Sequence, residues 1–260
     1  MRPAGSMKKE ASLQRQRLDL LLVERGLAAS RQSAQALILA GAVRVNGQPA
    51  AKAGRPASAS DVIEVREAAR FVGRGGEKLD HAMSFFRIEV RGLVCLDVGA
   101  STGGFTDCLL QRGALRVIAV DVGRGQMHWR LRRDPRVLLI ERCNARNLRP
   151  GDLPEQPSFA AVDVSFISLS KILPALHSVL RTPAEIVTLI KPQFEAGREH
   201  ICRGGVVRDE AVRSAVVAEA RAFGETRLGW EWRGVCESPL LGPAGNVEFL
   251  AYWRKREPSA

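Results

Sequence analysis

Four short motifs in this chain each carry a polar residue that side-chain packing does not explain: Arg74-Gly75-Gly76-Glu77-Lys78-Leu79, Asp163-Val164-Ser165-Phe166-Ile167-Ser168, Ile190-Lys191-Pro192-Gln193-Phe194-Glu195 and Gly245-Asn246-Val247-Glu248-Phe249. Asp163 and Lys191 each follow an apolar run directly. In an open parallel sheet, residues so placed project into the crevice beyond the carboxyl ends of the strands, where ligands bind. A lysine at the end of a buried strand needs a partner, and a nearby aspartate can supply it while steering the amine. Read alone, such a pair is equally a structural salt bridge, and Lys78 and Glu248 taken singly read as surface charges.

A second constellation precedes these. Asp97-Val98-Gly99-Ala100-Ser101-Thr102-Gly103-Gly104-Phe105 is followed by Val120-Asp121-Val122-Gly123. The apolar run from Leu93 to Val98 reads as a buried parallel strand and the stretch from Phe105 to Arg112 as a helix, so the glycines fall where strand turns into helix. A pyrophosphate cofactor would call for G-x-G-x-x-G with helix N–H groups facing phosphate. Here an acidic residue, Asp97, opens the turn, which suits the ammonium end of S-adenosylmethionine better than a polyanion. Asp121, ending the next strand, is placed to accept ribose hydroxyls. A nicotinamide enzyme is disfavoured by the missing phosphate pattern, while a plain strand-to-helix turn with solvated aspartates is the structural alternative.

The elements that must hold these residues follow from periodicity. A helix from Gly76 to Arg87 leads to the first strand, and further strands at Val117 to Asp121, Val137 to Glu141, Ala160 to Asp163 and Ile186 to Ile190 alternate with helices, as in a doubly wound sheet. Trp230 to Glu237 and Val247 to Trp253 read as a closing antiparallel pair. Upstream, Arg17 to Gly26 is an amphipathic helix closed by glycine, and Ser30 caps a second helix running to Gly41. Short strands then flank Asn46-Gly47. The expected division is a flexible extension over 1–16, a small domain over 17–69, a linker over 70–75 and a large domain over 76–255. Trp129 is expected in the core, with base stacking as the alternative for an exposed ring.

The 260 residues are 45% hydrophobic, enough for a proper core. No apolar run approaches the roughly 18 residues needed to span a bilayer, and Met1 to Gln16 is polar, so a cytoplasmic protein without a membrane role is expected. The five cysteines form no C-x-x-C pair and the four histidines have no ligand spacing, so neither a disulfide frame nor a metal site is expected. A net charge of +11 favours a polyanionic partner. Residues 1–91 hold 16 Lys plus Arg against 9 Asp plus Glu, which makes the N-terminal third the expected electrostatic anchor.

The order R-L-D-x-x-L, S-R-x-x-A-x-x-L-I, G-x-V-x-V-N-G and D-x-I-E-V resembles the alpha-L RNA-binding module. That module is shared by a primary-binding small-subunit ribosomal protein, some pseudouridine synthases and tyrosyl-tRNA synthetases. The resemblance implies that Arg17, Arg31 and Arg44 contact RNA phosphates; singly, each also reads as a solvated arginine. Lys78, Asp163, Lys191 and Glu248 together resemble the K-D-K-E tetrad of FtsJ-like ribose 2′-O-methyltransferases. From residue 15 to 255 the succession G-G-x-K-L, D-V-G-A-S-T-G-G-F-T-D, D-V-G-x-G-Q, D-V-S-F-I-S-L, K-P-Q-F-E-A-G and S-P-x-x-G-x-x-G-N-x-E-F-L resembles the TlyA (haemolysin A-like) rRNA methyltransferases.

This resemblance implies an α/β fold: a Rossmann-type methyltransferase doubly wound sheet with a small N-terminal α+β RNA-binding domain. It implies methylation of the ribose 2′-hydroxyl of cytidine in ribosomal RNA or ribosomal subunits, with S-adenosylmethionine as cofactor and no metal. Cofactor contacts carried over by motif are Asp97, Gly99, Ser101, Gly103, Gly104, Phe105 and Asp121. Asn144 is placed beside the adenine or, equally, as a loop cap. Lys191 would act on the hydroxyl as a base or as a cation stabilising the alkoxide, Asp163 would orient it, and Lys78 and Glu248 would position the ribose. Two departures leave the tetrad untouched: Gly73 replaces a common serine, and Ser158-Phe159-Ala160 lacks a frequent aspartate. A non-catalytic ribosome-assembly protein is the alternative, opposed by the intact tetrad; a cytolysin would need a membrane-inserting segment that is not apparent. Oligomeric state stays open.

Overall fold

Short strands and helices build two separate compact units that divide between Arg70 and Phe71. The computed structural model describes residues 15–39, 41–50, 52–65 and 70–257, so the expected N-terminal extension lies, through position 14, outside the described residues.

The first unit runs β1 (Gln16–Arg17), α1 (Leu18–Glu24), α2 (Arg31–Leu39), β2 (Val43–Val45), β3 (Gln48–Pro49), β4 (Pro56–Ala57) and β5 (Ile63–Val65). β2 is the centre of a three-stranded antiparallel sheet with β3 and β5. Asn46 and Gly47 turn its hairpin with φ of 53° and 76°, the conformation that an Asn-Gly pair adopts at little cost. Leu18, Leu21, Leu22, Ala34, Ile38, Val43 and Val45 close a small core.

Asp19 lies in that core with no exposed surface. A buried carboxylate is costly unless its oxygens are paired. Arg17 donates to it twice, each at 2.9 Å, Arg31 through Nε at 3.0 Å and Gln35 through Nε2 at 2.9 Å. Arg17 above all holds the Asp19 carboxyl well below the usual carboxylate range. Two of the arginines expected on RNA are therefore also structural, with side chains that remain 46% and 55% exposed. Arg44 stands apart on β2 and donates to the Gly47 carbonyl at 2.9 Å.

The second unit begins inside the segment expected as a linker. Phe71 is buried against the bare backbone of Gly76 and joins the core with Leu79, Met83 and Phe105. The Val72 N–H donates to Asp107 Oδ2 at 2.8 Å. Residues 71–75 of the expected linker thus lie in the second unit and pack there, because an aromatic side chain at 71 has a glycine surface to cover.

Helix α3 (Gly75–Phe86) then leads into β6 (Val94–Val98), α4 (Gly104–Gln111), β7 (Arg116–Val120), α5 (Trp129–Arg132) and β8 (Val137–Ile140). The chain continues through β9 (Phe159–Val162), α6 (Leu173–Val179), β10 (Ala184–Ile190), α7 (Pro192–Glu195), α8 (Glu210–Leu228), β11 (Trp230–Glu237) and β12 (Phe249–Lys255). The seven strands lie in the order β11-β12-β10-β9-β6-β7-β8. β6 to β10 are mutually parallel, whereas β12 pairs antiparallel with both β10 and β11. Strand order reverses between β6 and β9, which opens a crevice at their carboxyl ends.

One apolar layer on each face buries the sheet. Trp253, fully buried, packs against α8 where Gly224 offers no side chain. Trp129, expected in the core, is instead 62% exposed. Its helix is a single turn anchored by Leu131, which lies over Gly103, so the tryptophan beside it faces outward.

The Asp19 cluster makes a pH-dependent stability prediction for the first unit. A lowered folded pKa stabilises above the unfolded value of about 4, and that stability is lost as pH falls through the lower folded value. Asp19→Ala should destabilise α1 and β2 by about 2–3 kcal/mol at neutral pH, read by hydrogen exchange in those segments, while exchange in β6 to β10 stays unchanged. Asp19→Asn should flatten the acid limb; unaltered protection in α1 would refute the assignment.

Candidate active site

The crevice between β6 and β9 is organised by a close backbone approach. Gly99 follows β6 with φ of 85°, and a Cβ there would run into the carbonyl oxygen of Asp163, which follows β9. Only glycine satisfies both the left-handed conformation and the contact. This contact is a waist between two hollows. One, of about 480 Å³, is lined by residues including Gly99, Ser101, Asp121, Gln126, Asn144, Asp163, Ser165 and Phe166. The other, of about 510 Å³, is lined by Arg74, Gly75, Lys78, Gly99, Ser101, Thr102, Gly104, Phe105, Asp163 and Leu241 among others. Gly99, Ser101 and Asp163 belong to both.

On the first side, Asp121 receives the Ser101 N–H at 2.8 Å and the Gly123 N–H at 2.6 Å. Each oxygen keeps a lone pair for a further donor, the acceptor geometry that a pair of ribose hydroxyls needs. Asn144 both lines this hollow and accepts the Arg146 N–H at 3.2 Å, so the wall position and the loop cap are the same residue.

Two of the residues expected from motif to contact the cofactor do not line the hollows. Asp97 lines neither hollow: it is fully buried within β6, where its Oδ2 accepts the Thr106 hydroxyl at 2.6 Å. Strand alternation turns this side chain beneath the glycine turn, against α4, and burial pushes its carboxyl up to about 7. Gly103 is also covered, its Cα lying under Leu131 and Met127. Ser101, Gly99, Gly104 and Phe105 do line the cleft. Ser165, Phe166 and Gln126 line it as well, although spacing did not single them out; the signal was their membership in the same motifs as Asp163 and Asp121.

All four charged residues of the tetrad come to the carboxyl edge. Lys191 follows β10 and its Nζ lies 2.5 Å from Asp163 Oδ1. The same amine donates to Ser165 Oγ at 2.9 Å. Antiparallel pairing of Ile190 with Phe249 sets Glu248 beside the end of β10. Glu248 is buried and takes Lys78 of α3 at 2.5 Å. Its Oε1 has no hydrogen-bond partner among the described residues, and Gly242 leaves the room that this oxygen occupies.

The loops carrying these residues are pinned from behind. Glu195 accepts the Ser168 hydroxyl at 2.6 Å and the Leu169 N–H at 2.8 Å, tying the Lys191 loop to the Asp163 loop. Burial pushes the Glu195 carboxyl up. Asn246 accepts the Val207 N–H at 2.9 Å and donates to the Gly205 carbonyl at 2.8 Å, which fixes the segment ahead of Glu248. Arg74 donates to the Leu241 carbonyl at 2.7 Å across the rim of the second hollow.

Comparison with known proteins agrees with this layout. The FtsJ-like methyltransferase family matches residues 71–255, and the S4 domain family matches residues 16–63. The 16S/23S rRNA (cytidine-2'-O)-methyltransferase TlyA of Mycobacterium tuberculosis is 49% identical over 250 residues, 95% of this chain and 92% of that protein. Hemolysin A of Brachyspira hyodysenteriae is 42% identical over 238 residues, 91% of this chain and 99% of that one. Among solved structures, a Streptococcus thermophilus protein named as a hemolysin has a TM-score of 0.72 at 42% identity, covering 95% of this chain and 90% of that chain.

Buried Asp97 generates a test of its own. Its folded pKa lies above the unfolded value, so between about pH 4 and 7 folding takes up a proton and stability from this group falls as pH rises. Asp97→Asn removes that loss. Without added ligand, the variant should gain on the order of 2 kcal/mol relative to wild type between pH 5 and pH 8, measured by denaturant unfolding of the second unit. A constant difference across that range would show that the carboxylate stays ionised.

Proposed function

The chain belongs to the TlyA group of FtsJ-like methyltransferases, and on that premise we propose that it methylates the ribose 2′-hydroxyl of cytidine in ribosomal RNA. S-adenosylmethionine, the proposed donor, supplies an electrophilic methyl group when bound. The observation that carries the reading is Lys191, held by Asp163, which lines both hollows, and by Ser165, which lines the first.

The first hollow suits a nucleoside end: Asp121 offers its acceptors, Asn144 lines the wall, and Gly99 admits close approach of a ligand to the backbone. The second hollow, lined by Lys78, is assigned to the RNA ribose. A ribose hydroxyl is a weak nucleophile at neutral pH, so the site must orient it and favour loss of its proton. Two of the tetrahedral directions of the Lys191 amine are taken by Asp163 and Ser165, and a third by its own side chain. One direction remains for the reacting hydroxyl. A lone pair there receives the proton; an N–H there stabilises the developing alkoxide.

Glu248 holds Lys78 with one oxygen and keeps the other for a donor such as a second ribose hydroxyl. Asp97 acts from beneath, through Thr106, on the helix that follows the glycine turn. In the first unit, Arg44 is the cleanest RNA contact, since Arg17 and Arg31 also support Asp19. With ribosomal RNA as partner, the proposed location is the cytoplasm. Two relatives carry hemolysin names; among the described residues no helix is long and apolar enough to cross a membrane.

Incubation of the purified chain with rRNA and labelled S-adenosylmethionine, followed by ribose-methylation mapping, tests the proposal directly. A methylated cytidine is expected, and labelled RNA bearing no modified ribose would overturn it. Lys191→Ala should lower the single-turnover rate at least about a hundredfold with RNA and cofactor affinities nearly unchanged. Ser165→Ala should lower kcat without raising KM, and Ser165→Thr should recover most of it; near-normal turnover in Lys191→Ala would remove that lysine from the chemistry. Arg44→Glu should weaken RNA binding and reduce the slope of log affinity against log salt by roughly one or more, since a phosphate is no longer neutralised there. The same change at Arg31 is a poorer probe, because it would also unpair Asp19.

A further inference from the structure

The charge balance of the second unit conceals a local concentration. Residues 124–149 carry eight arginines against two acidic residues. Both acids are taken internally, Asp134 by Arg136 at 2.7 Å and Glu141 by Arg132 at 2.5 Å. Arg124, Arg130 and Arg133 have no ion-pair partner among the described residues. Within this segment stands Trp129, 62% exposed, with the Arg133 guanidinium 5.7 Å from its ring centroid. An exposed tryptophan covers no core, and a guanidinium stacked on it holds the ring while adding positive charge.

The position of this ring relates it to the cleft. Helix α5 begins directly after the loop that contributes Asp121, Val122 and Gln126 to the first hollow. The His128 N–H, one residue before the tryptophan, donates to the Thr102 carbonyl at 3.0 Å. Thr102 lines the second hollow, the one with Lys78. Met127 and Leu131 lie against Gly103, so the short helix is seated on the glycine turn itself. The aromatic patch is therefore attached to the rim of the cleft at the turn that both hollows share.

Resting on the methyltransferase reading above, we propose that Trp129, supported by Arg133 and flanked by Arg130, is a stacking platform for an unpaired nucleotide of the RNA neighbouring the target ribose. Every base presents a π-face to such a ring, and the arginines supply charge complementary to the backbone. The platform makes the second unit an RNA-binding surface in its own right. Acidic protein is a poorer fit to the patch, because the π-face of a tryptophan adds nothing to carboxylate recognition, whereas it stacks on a base.

The test uses the full chain with deproteinised ribosomal RNA and, separately, intact ribosomal subunits. Trp129→Ala should weaken binding to deproteinised RNA roughly 5- to 100-fold, and Trp129→Phe should retain most of the affinity. Arg130→Ala should reduce the slope of log affinity against log salt by about one. Cofactor affinity, a readout of an intact glycine turn, should be unchanged in all three. Binding of Trp129→Ala to deproteinised RNA equal to wild type would overturn the platform. So would a loss seen with subunits alone, which would assign the ring to a ribosomal protein. Failure of the wild-type chain to bind or methylate RNA would instead overturn the underlying functional reading, so the two failures are distinguishable.

Discussion

The close approach of Gly99 to the Asp163 carbonyl is the constraint on which the cleft depends. It occurs where strand order reverses, the one place in the sheet where adjacent crossover connections leave in opposite directions. Any Cβ at residue 99 would push the Asp163 loop away. That loop holds one partner of Lys191 by its carboxylate and another by Ser165, and its far end is tied back to the Lys191 loop by Glu195. A steric condition at one backbone atom thereby sets the position of the amine.

Around this waist the molecule twice places a lysine beside a carboxylate. Lys191 with Asp163 and Lys78 with Glu248 both use short contacts, the second pair buried and the first with Asp163 partly exposed to the crevice. Neither pair is an economical way to gain stability, since the desolvation of two ions offsets much of their attraction. Their value lies in orientation. Among the described residues, Glu248 keeps one buried oxygen without a partner, a state that is costly in a resting fold and useful where a ligand donor is to arrive. Asp19 in the first unit shows the contrasting case, a buried carboxylate whose surroundings are complete and whose role is structural.

Net charge divided by sequence position underestimates the second unit. Its modest excess averages a strongly basic segment around Trp129 with a remainder that is slightly acidic, and only the pairing pattern reveals which arginines are free to meet a polyanion. Two of the arginines expected on RNA in the first unit are partly committed to Asp19. Electrostatic attraction and a specific contact are thus different properties of the same residues, and the second depends on who else is within reach.

Much of the fold was legible in the sequence because it rests on local periodicity. The five parallel strands, the glycine turn, the closing antiparallel pair and the Asn46-Gly47 hairpin follow from apolar runs and from residues that tolerate positive φ. The residues of the tetrad were also legible as types that packing does not explain. Tertiary structure alone decided which carboxylate meets which lysine, because Lys78 and Glu248 lie 170 positions apart and are joined only through the antiparallel return of β12. It alone placed Asp97 under the glycine turn rather than in the cleft, since a one-residue step along a strand reverses the face to which a side chain points. Phe71 moved from linker to core, and Trp129 from core to surface, for a related reason: composition states that an aromatic ring will be buried on average, but a partner surface, here the bare Gly76, determines whether that particular ring is.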